Sequence, residues 1–113
     1  MKKTKMLKKN YEFSYVFTKG TYYSGTAIEA FILNNKEKSN YLGLAISVKS
    51  GHAYQRNRLK RLLRESYKSI EEHITENVSI VFLLKKSINI SNVKYNQVKQ
   101  DVDEIFKKAK IIG

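Results

Sequence analysis

Four arginines stand within nine residues, at Arg56, Arg58, Arg61 and Arg64, and the 113-residue chain has no other. A guanidinium presents a planar fork of N–H donors that grips phosphate through two parallel hydrogen bonds and stacks on nucleobases. The lysines are instead scattered from Lys2 to Lys110 and supply diffuse attraction. This pattern suits recognition of a polyanion and not bond-breaking. The chain has no cysteine, which excludes thiolate nucleophiles and thiolate zinc sites. His52 and His73 lie 21 positions apart without ligand-like spacing. No acid pair, metal-ligand cluster or nucleophile triad emerges, so no catalytic residue and no protein metal site are expected.

The whole-chain balance agrees. Lysine and arginine number 22 against 10 aspartates and glutamates, a formal charge of +12, and 42% of residues are hydrophobic. That composition supports one cored domain over residues 1–113 and argues against a disordered tail. The longest clean apolar run is Ile80 to Leu84, too short to span a membrane. The N-terminus lacks the apolar stretch of a signal peptide. A soluble, cytoplasmic protein without membrane contact is expected. Lys2, Lys3, Lys5, Lys8 and Lys9 read as a flexible basic arm over residues 1–9, or as a frayed terminus.

These side chains need elements to position them. Asn10 can cap a helix running to about Lys19, with Phe13, Val16 and Phe17 as its apolar stripe and Gly20 ending it in a left-handed conformation. Ala27 to Leu33 alternates as a strand, with Ile28, Ala30 and Ile32 opposite Glu29, Phe31 and Leu33. Asn34 to Asn40 reads as a turn. A strand follows from Tyr41 to Lys49, whose small face, Gly43, Ala45 and Ser47, leaves a groove for a packed helix or a ligand. The helix from about Gln55 to Ile74 sorts by wheel position. Leu59, Leu62, Leu63, Tyr67, Ile70 and Ile74 share one sector. Asn57, Arg61, Arg64 and Lys68 lie opposite, with Arg58 and Lys60 at the margins. Arg56 falls near the apolar side and is expected to reach over the helix start. Val78 to Leu84 is a buried strand, and a last helix runs from Ser91 or Asn92 to about Lys110. The order helix, strands, helix, strand, helix suggests an α+β sandwich with one sheet.

Two of these segments, in register, carry a resemblance. SVKSGHAYQRNRLKRLLRE, from Ser47 to Glu65, resembles the signature of the protein subunit of bacterial ribonuclease P, approximately S-K-K-x-G-x-A-x-x-R-N-R-x-K-R-x-x-R-E. It matches at Ser47, Lys49, Gly51, Ala53, Arg56, Asn57, Arg58, Lys60, Arg61, Arg64 and Glu65. LKKNYEFSYVFTKG, from Leu7 to Gly20, is similar to that family's first helix, with F-x-x-V-F-x-x-G at Phe13, Val16, Phe17 and Gly20. Val48, Ser50, Lys85 and Lys86 depart from the pattern.

The resemblance implies a fold with three helices and a single four-stranded mixed sheet, containing a left-handed strand–helix–strand crossover against the usual right-handed preference. A ribosomal protein domain shares this sandwich type. It also implies a function: a monomeric partner of a catalytic RNA that removes the 5′ leader of precursor tRNA. The RNA holds the catalytic Mg2+, and the protein helps to bind the leader. Arg56, Asn57, Arg58, Lys60, Arg61, Arg64, Lys68 and Lys49 are the residues implied to contact the catalytic RNA and nearby substrate. Structural roles for Arg56, and helix capping for Asn57, remain open. The implied leader cleft is formed by Phe13, Phe17 and Phe31 over Gly43, Ala45 and Ser47. Phe13 and Phe17 could equally be core residues, and Tyr22 and Tyr23 could extend the stacking surface. The competing reading is a ribosomal or RNA-chaperone type of basic RNA-binding protein.

Overall fold

The computed structural model describes residues 4–113. In chain order the elements are β1 (Thr4–Met6), α1 (Asn10–Lys19), β2 (Thr21–Ser24), β3 (Ile28–Asn34), β4 (Asn40–Leu44), α2 (Ala53–Ile70), β5 (Val78–Leu84) and α3 (Tyr95–Ala109). Three short 3-10 turns, at Val48–Ser50, Glu71–His73 and Ile90–Asn92, join them. The strands form one mixed sheet in the order β1-β4-β5-β3-β2. β4 and β5 are parallel neighbours linked through α2, and β5–β3 and β3–β2 are antiparallel.

The sheet has five strands and not the expected four. β1 and β2 are edge strands of three and four residues, too short and too polar to show an alternating pattern. β1 also corrects the expected flexible arm: Thr4, Lys5 and Met6 pair in parallel with Asn40, Tyr41 and Leu42. The Thr4 hydroxyl donates to the Glu71 carboxylate and lies 2.6 Å from the Tyr67 hydroxyl, tying the strand to the end of α2. Burial pushes the Tyr67 phenol up to about 12, so it serves as a neutral hydrogen-bonding group. Lys2 and Lys3 lie outside the described residues.

Four boundaries also differ from expectation; α3 starts at Tyr95, after the 3-10 turn at Ile90–Asn92, and not at Ser91 or Asn92. Gly20 is extended (φ −80°, ψ 167°) and not left-handed. Its need for glycine is steric, because a Cβ there would stand 2.6 Å from the Val16 carbonyl oxygen. β4 stops at Leu44, since the Ser47 hydroxyl accepts the Lys49 N–H at 3.2 Å and turns the chain away from the ladder. α2 starts at Ala53, with the Gln55 side chain accepting the His52 N–H at 2.8 Å, and it tightens into the 3-10 turn after Ile70.

The two faces of the sheet are covered unequally. α2 and α3 pack on one face, where Ile28, Ala30, Ile32, Leu42, Ile80 and Phe82 meet Leu59, Leu63, Tyr67, Val98, Val102, Ile105 and Phe106 in one continuous core. Within it the Phe106 ring stacks on Phe82 (6.2 Å between centroids) and meets Tyr67 edge-on (6.1 Å). The other face carries only α1.

One side chain fastens the helical layer to the β2–β3 hairpin. Asp101, 1% exposed, points from α3 into the turn after β2. One carboxylate oxygen accepts the Thr26 N–H (2.8 Å) and hydroxyl (2.9 Å). The other accepts the N–H groups of Ala27 (2.8 Å) and Ile28 (2.9 Å). Consecutive amides wrapped around an anion form a backbone nest, here filled by the protein's own carboxylate. Gly25 leaves room for it, because a Cβ at that position would lie 2.5 Å from Asp101 Cγ. Asp101→Asn replaces an acceptor with a donor facing N–H groups. We expect it to lower unfolding free energy by about 3 kcal/mol. Urea denaturation checks this, and an unchanged midpoint would show that the nest is dispensable.

Candidate nucleic-acid interface

α2 separates its side chains as an amphipathic helix must. Leu59, Leu62, Leu63, Tyr67 and Ile70 are buried. Asn57, Arg61 and Lys68 are exposed, and Lys60 and Arg64 are partly exposed beside them. Among the described residues the one side-chain salt bridge is Lys99–Asp103 on α3. The cations of α2 therefore have no carboxylate within ion-pair distance, and the strip faces solvent with its charge uncompensated.

Two of its arginines have structural work as well. Arg56 Nη1 donates to the Gly51 carbonyl at 2.7 Å and reaches that of Val48 at 3.4 Å, bracing the loop that enters α2. Arg58 Nη1 donates to the Val93 carbonyl at 2.8 Å, joining α2 to the segment before α3. Each bond uses one of five guanidinium N–H groups, so both side chains keep donors for an anion. Lys49 lies exposed on the same entry loop, beside an exposed His52–Tyr54 stack (5.7 Å, 6°).

On the opposite face of the sheet, register gives three rungs: Tyr41–Ser79–Leu33, then Gly43–Val81–Phe31, then Leu83 beside Glu29. Val16, 2% exposed, seals α1 against the sheet. One flank of α1 carries Phe13 and Phe17. The Phe17 ring meets Phe31 edge-on at 5.2 Å, and Tyr22 lies 5.3 Å from Phe31. Phe13 and Phe17 are each half-buried, and neither belongs to the continuous core. The third rung emerges beyond α1, at the end of the sheet from which β4 leads toward α2. Together these groups make a partly exposed aromatic cleft beside α1, at the end of the sheet where β5 runs on into Lys85 and Lys86.

Not every expected cleft residue lines it. Gly43 is buried, and a Cβ there would stand 2.5 Å from Phe13 Cε1; its smallness seats α1 and leaves no open floor. Ala45 is partly exposed past the end of β4. Ser47 lies in the following turn with its hydroxyl on the Lys49 amide. Tyr22 and Leu83 extend the cleft instead. Tyr22, expected from the sequence as a residue that could extend the stacking surface, is brought there by its pairing with Phe31. Its hydroxyl donates to the Glu29 carboxylate, and that bond raises the phenol above its ordinary range. Tyr23 turns to the other face and packs against the core.

Among the described residues no three His, Asp or Glu side chains gather where they could hold a metal ion. No helix there is long and apolar enough to cross a membrane.

A charged helix face and a half-covered aromatic sheet face on one small α+β body define a polyanion-binding class of protein. The model of the ribonuclease P family matches residues 1–110. The chain belongs to that family, the protein components of the tRNA-processing endonuclease ribonuclease P. It is 37% identical over 108 residues to the ribonuclease P protein component of Fusobacterium nucleatum, covering 94% of this chain and 97% of the relative. A Clostridium botulinum counterpart is 34% identical over 112 residues, covering 98% of each. The solved RNase P protein of Staphylococcus aureus shares the fold with a TM-score of 0.82 at 28% identity, covering 96% of this chain and 97% of that one. The Thermotoga maritima protein shares it at a TM-score of 0.80 and 23% identity, covering 92% and 96%.

The dual use of α2 predicts divergent mutant behaviour. Arg58→Ala removes the tie between α2 and the segment before α3 and is expected to cost about 1 kcal/mol or more of stability. Arg61→Ala, exposed and unpaired, is expected to leave stability within about 0.5 kcal/mol. Thermal unfolding of both variants checks the contrast.

Proposed function

We propose that this protein docks onto the ribonuclease P RNA through the α2 strip and holds the 5′ leader of precursor tRNA in the Phe13–Phe17–Phe31 cleft. The carrying observation is the placement of the two surfaces. The cleft opens at the end of the sheet where the chain turns into α2, so a docked catalytic RNA and a leader lie close together. Arg61, Arg64, Lys60, Asn57 and Lys68 face outward for phosphate, while Arg56 and Arg58 brace the loop entering α2 and the segment before α3 and offer their remaining N–H groups. Single-stranded RNA suits a cleft of half-exposed rings near lysine, since bases stack on aromatic faces while phosphates stay near charge. Chemistry would reside in the RNA, whose bound Mg2+ would supply the activated water and stabilise the leaving oxygen. This chain's residues bind and orient.

Incubating the protein with precursor tRNA, with and without a bacterial ribonuclease P RNA, tests the reading. We expect no cleavage by protein alone and stimulation of the RNA at low Mg2+. Cleavage by the protein alone would overturn it. Arg61→Ala combined with Arg64→Ala should weaken assembly with the RNA. If about six phosphates are neutralised, affinity should fall about a thousandfold between roughly 50 and 200 mM salt, and a flat response would count against the docking face. Phe17→Ala should reduce the preference for leader-bearing over leaderless substrate. A lowered melting temperature with that preference intact would make Phe17 a packing residue only.

A further inference from the structure

The other flank of α1 is also open. A furrow of about 850 Å³ lies between that flank and the first rung of the sheet, walled by Tyr11, Tyr15, Leu33 and Tyr41. It continues, past Tyr11 and Tyr41, into a second hollow of about 610 Å³ rimmed by Lys5, Lys8 and Lys9. Tyr11 and Tyr15 are 68% and 59% exposed, so neither ring is needed by the core. The Lys9 ammonium sits 5.8 Å from the centre of the Tyr11 ring. Lys36 lines the far end.

We infer that this furrow is a second binding site for single-stranded RNA, taking a segment separate from the one in the phenylalanine cleft. Three tyrosine rings in reach of four lysines are the combination that holds unpaired bases: flat faces for stacking, ammonium groups for phosphates. Two carboxylates also line it. Glu12 accepts the Lys9 and Lys8 N–H groups at 2.8 and 3.0 Å on one oxygen, which keep its carboxyl below the usual range and so ionised, but the lysines Lys5, Lys8, Lys9 and Lys36 outnumber the acids. Glu37 lies on the exposed loop between β3 and β4. The seal at Val16 separates the flanks, so a strand lying in one does not thread beneath the helix into the other. A furrow for peptide would not need this density of lysine, and the formal charge of +12 favours RNA.

The inference rests on the leader reading only in assigning the opposite flank. Its test uses the full-length protein and fluorescein-labelled hexaadenylate at fixed salt, followed by anisotropy. Tyr11→Ala with Tyr15→Ala should lower affinity about tenfold or more, through lost stacking. Tyr11→Phe with Tyr15→Phe should restore it, because the ring is retained. Ultraviolet cross-links should map to Tyr11, Tyr15 or Tyr41. In the holoenzyme, the alanine pair should leave the preference for leader-bearing precursor tRNA unchanged. Wild-type affinity in the alanine pair, or no rescue by the phenylalanine pair, would overturn the site. Loss of leader preference in the alanine pair would overturn its separateness. If Phe17→Ala leaves leader preference intact while the tyrosine results hold, the leader reading fails and the furrow stands.

Discussion

One ten-residue helix is all that covers one face of a five-stranded sheet. Five strands at ~4.8 Å spacing span about 20 Å, whereas α1 is about 15 Å long and about 10 Å across. The helix can seal only the middle of the face, and Val16 does so. Aromatic residues on either side are left half in contact and half in water. In a purely structural sheet such rings would be a liability, and they are the groups we propose to meet RNA. Phe17, Phe31 and Tyr22 flank one side, and Tyr11, Tyr15 and Tyr41 the other. The opposite face, closed by two longer helices, must then carry most of the stability.

That division explains why the strong polar fastenings lie on the helical side. Asp101 collects a turn around one carboxylate, Arg58 ties α2 to the segment before α3, and Tyr67 with Thr4 and Glu71 anchors β1. Each connects elements distant in sequence, and the last two fix α2, the helix that presents cations. A charged strip recognises a structured polyanion only if its spacing is held, since wandering side chains lose entropy on binding. If α2 docks RNA as proposed, the braces at Arg56 and Arg58 serve recognition as well as folding.

The long, strongly periodic parts were legible in the sequence. α2 and β5 show their faces in the spacing of Leu59, Leu63 and Tyr67 and in the run from Val78, and the arginine cluster announces its own chemistry. What escaped depended on pairing at a distance. β1 is three residues whose strand character exists only beside β4. Asp101 looks in sequence like any helical surface acid. The small residues illustrate the same limit. Gly43 and Ser47 share a parity that suggests one open floor, but Phe13 covers the first, and a hydroxyl–amide bond turns the second out of the strand.

The charge itself has a structural consequence. An excess of +12 on 113 residues destabilises the compact state by self-repulsion. The α2 cations have no internal acids to relieve them, and Lys5, Lys8 and Lys9 crowd the opposite sheet edge. Any polyanion seated on α2 removes repulsion from the folded state, in addition to its direct contacts. Binding to the folded form alone stabilises it by mass action, so assembly with RNA and completion of the fold reinforce one another. The surface proposed to dock RNA thus leaves the free protein less stable than its core would allow, and the arginines without acid partners are the clearest mark of that compromise.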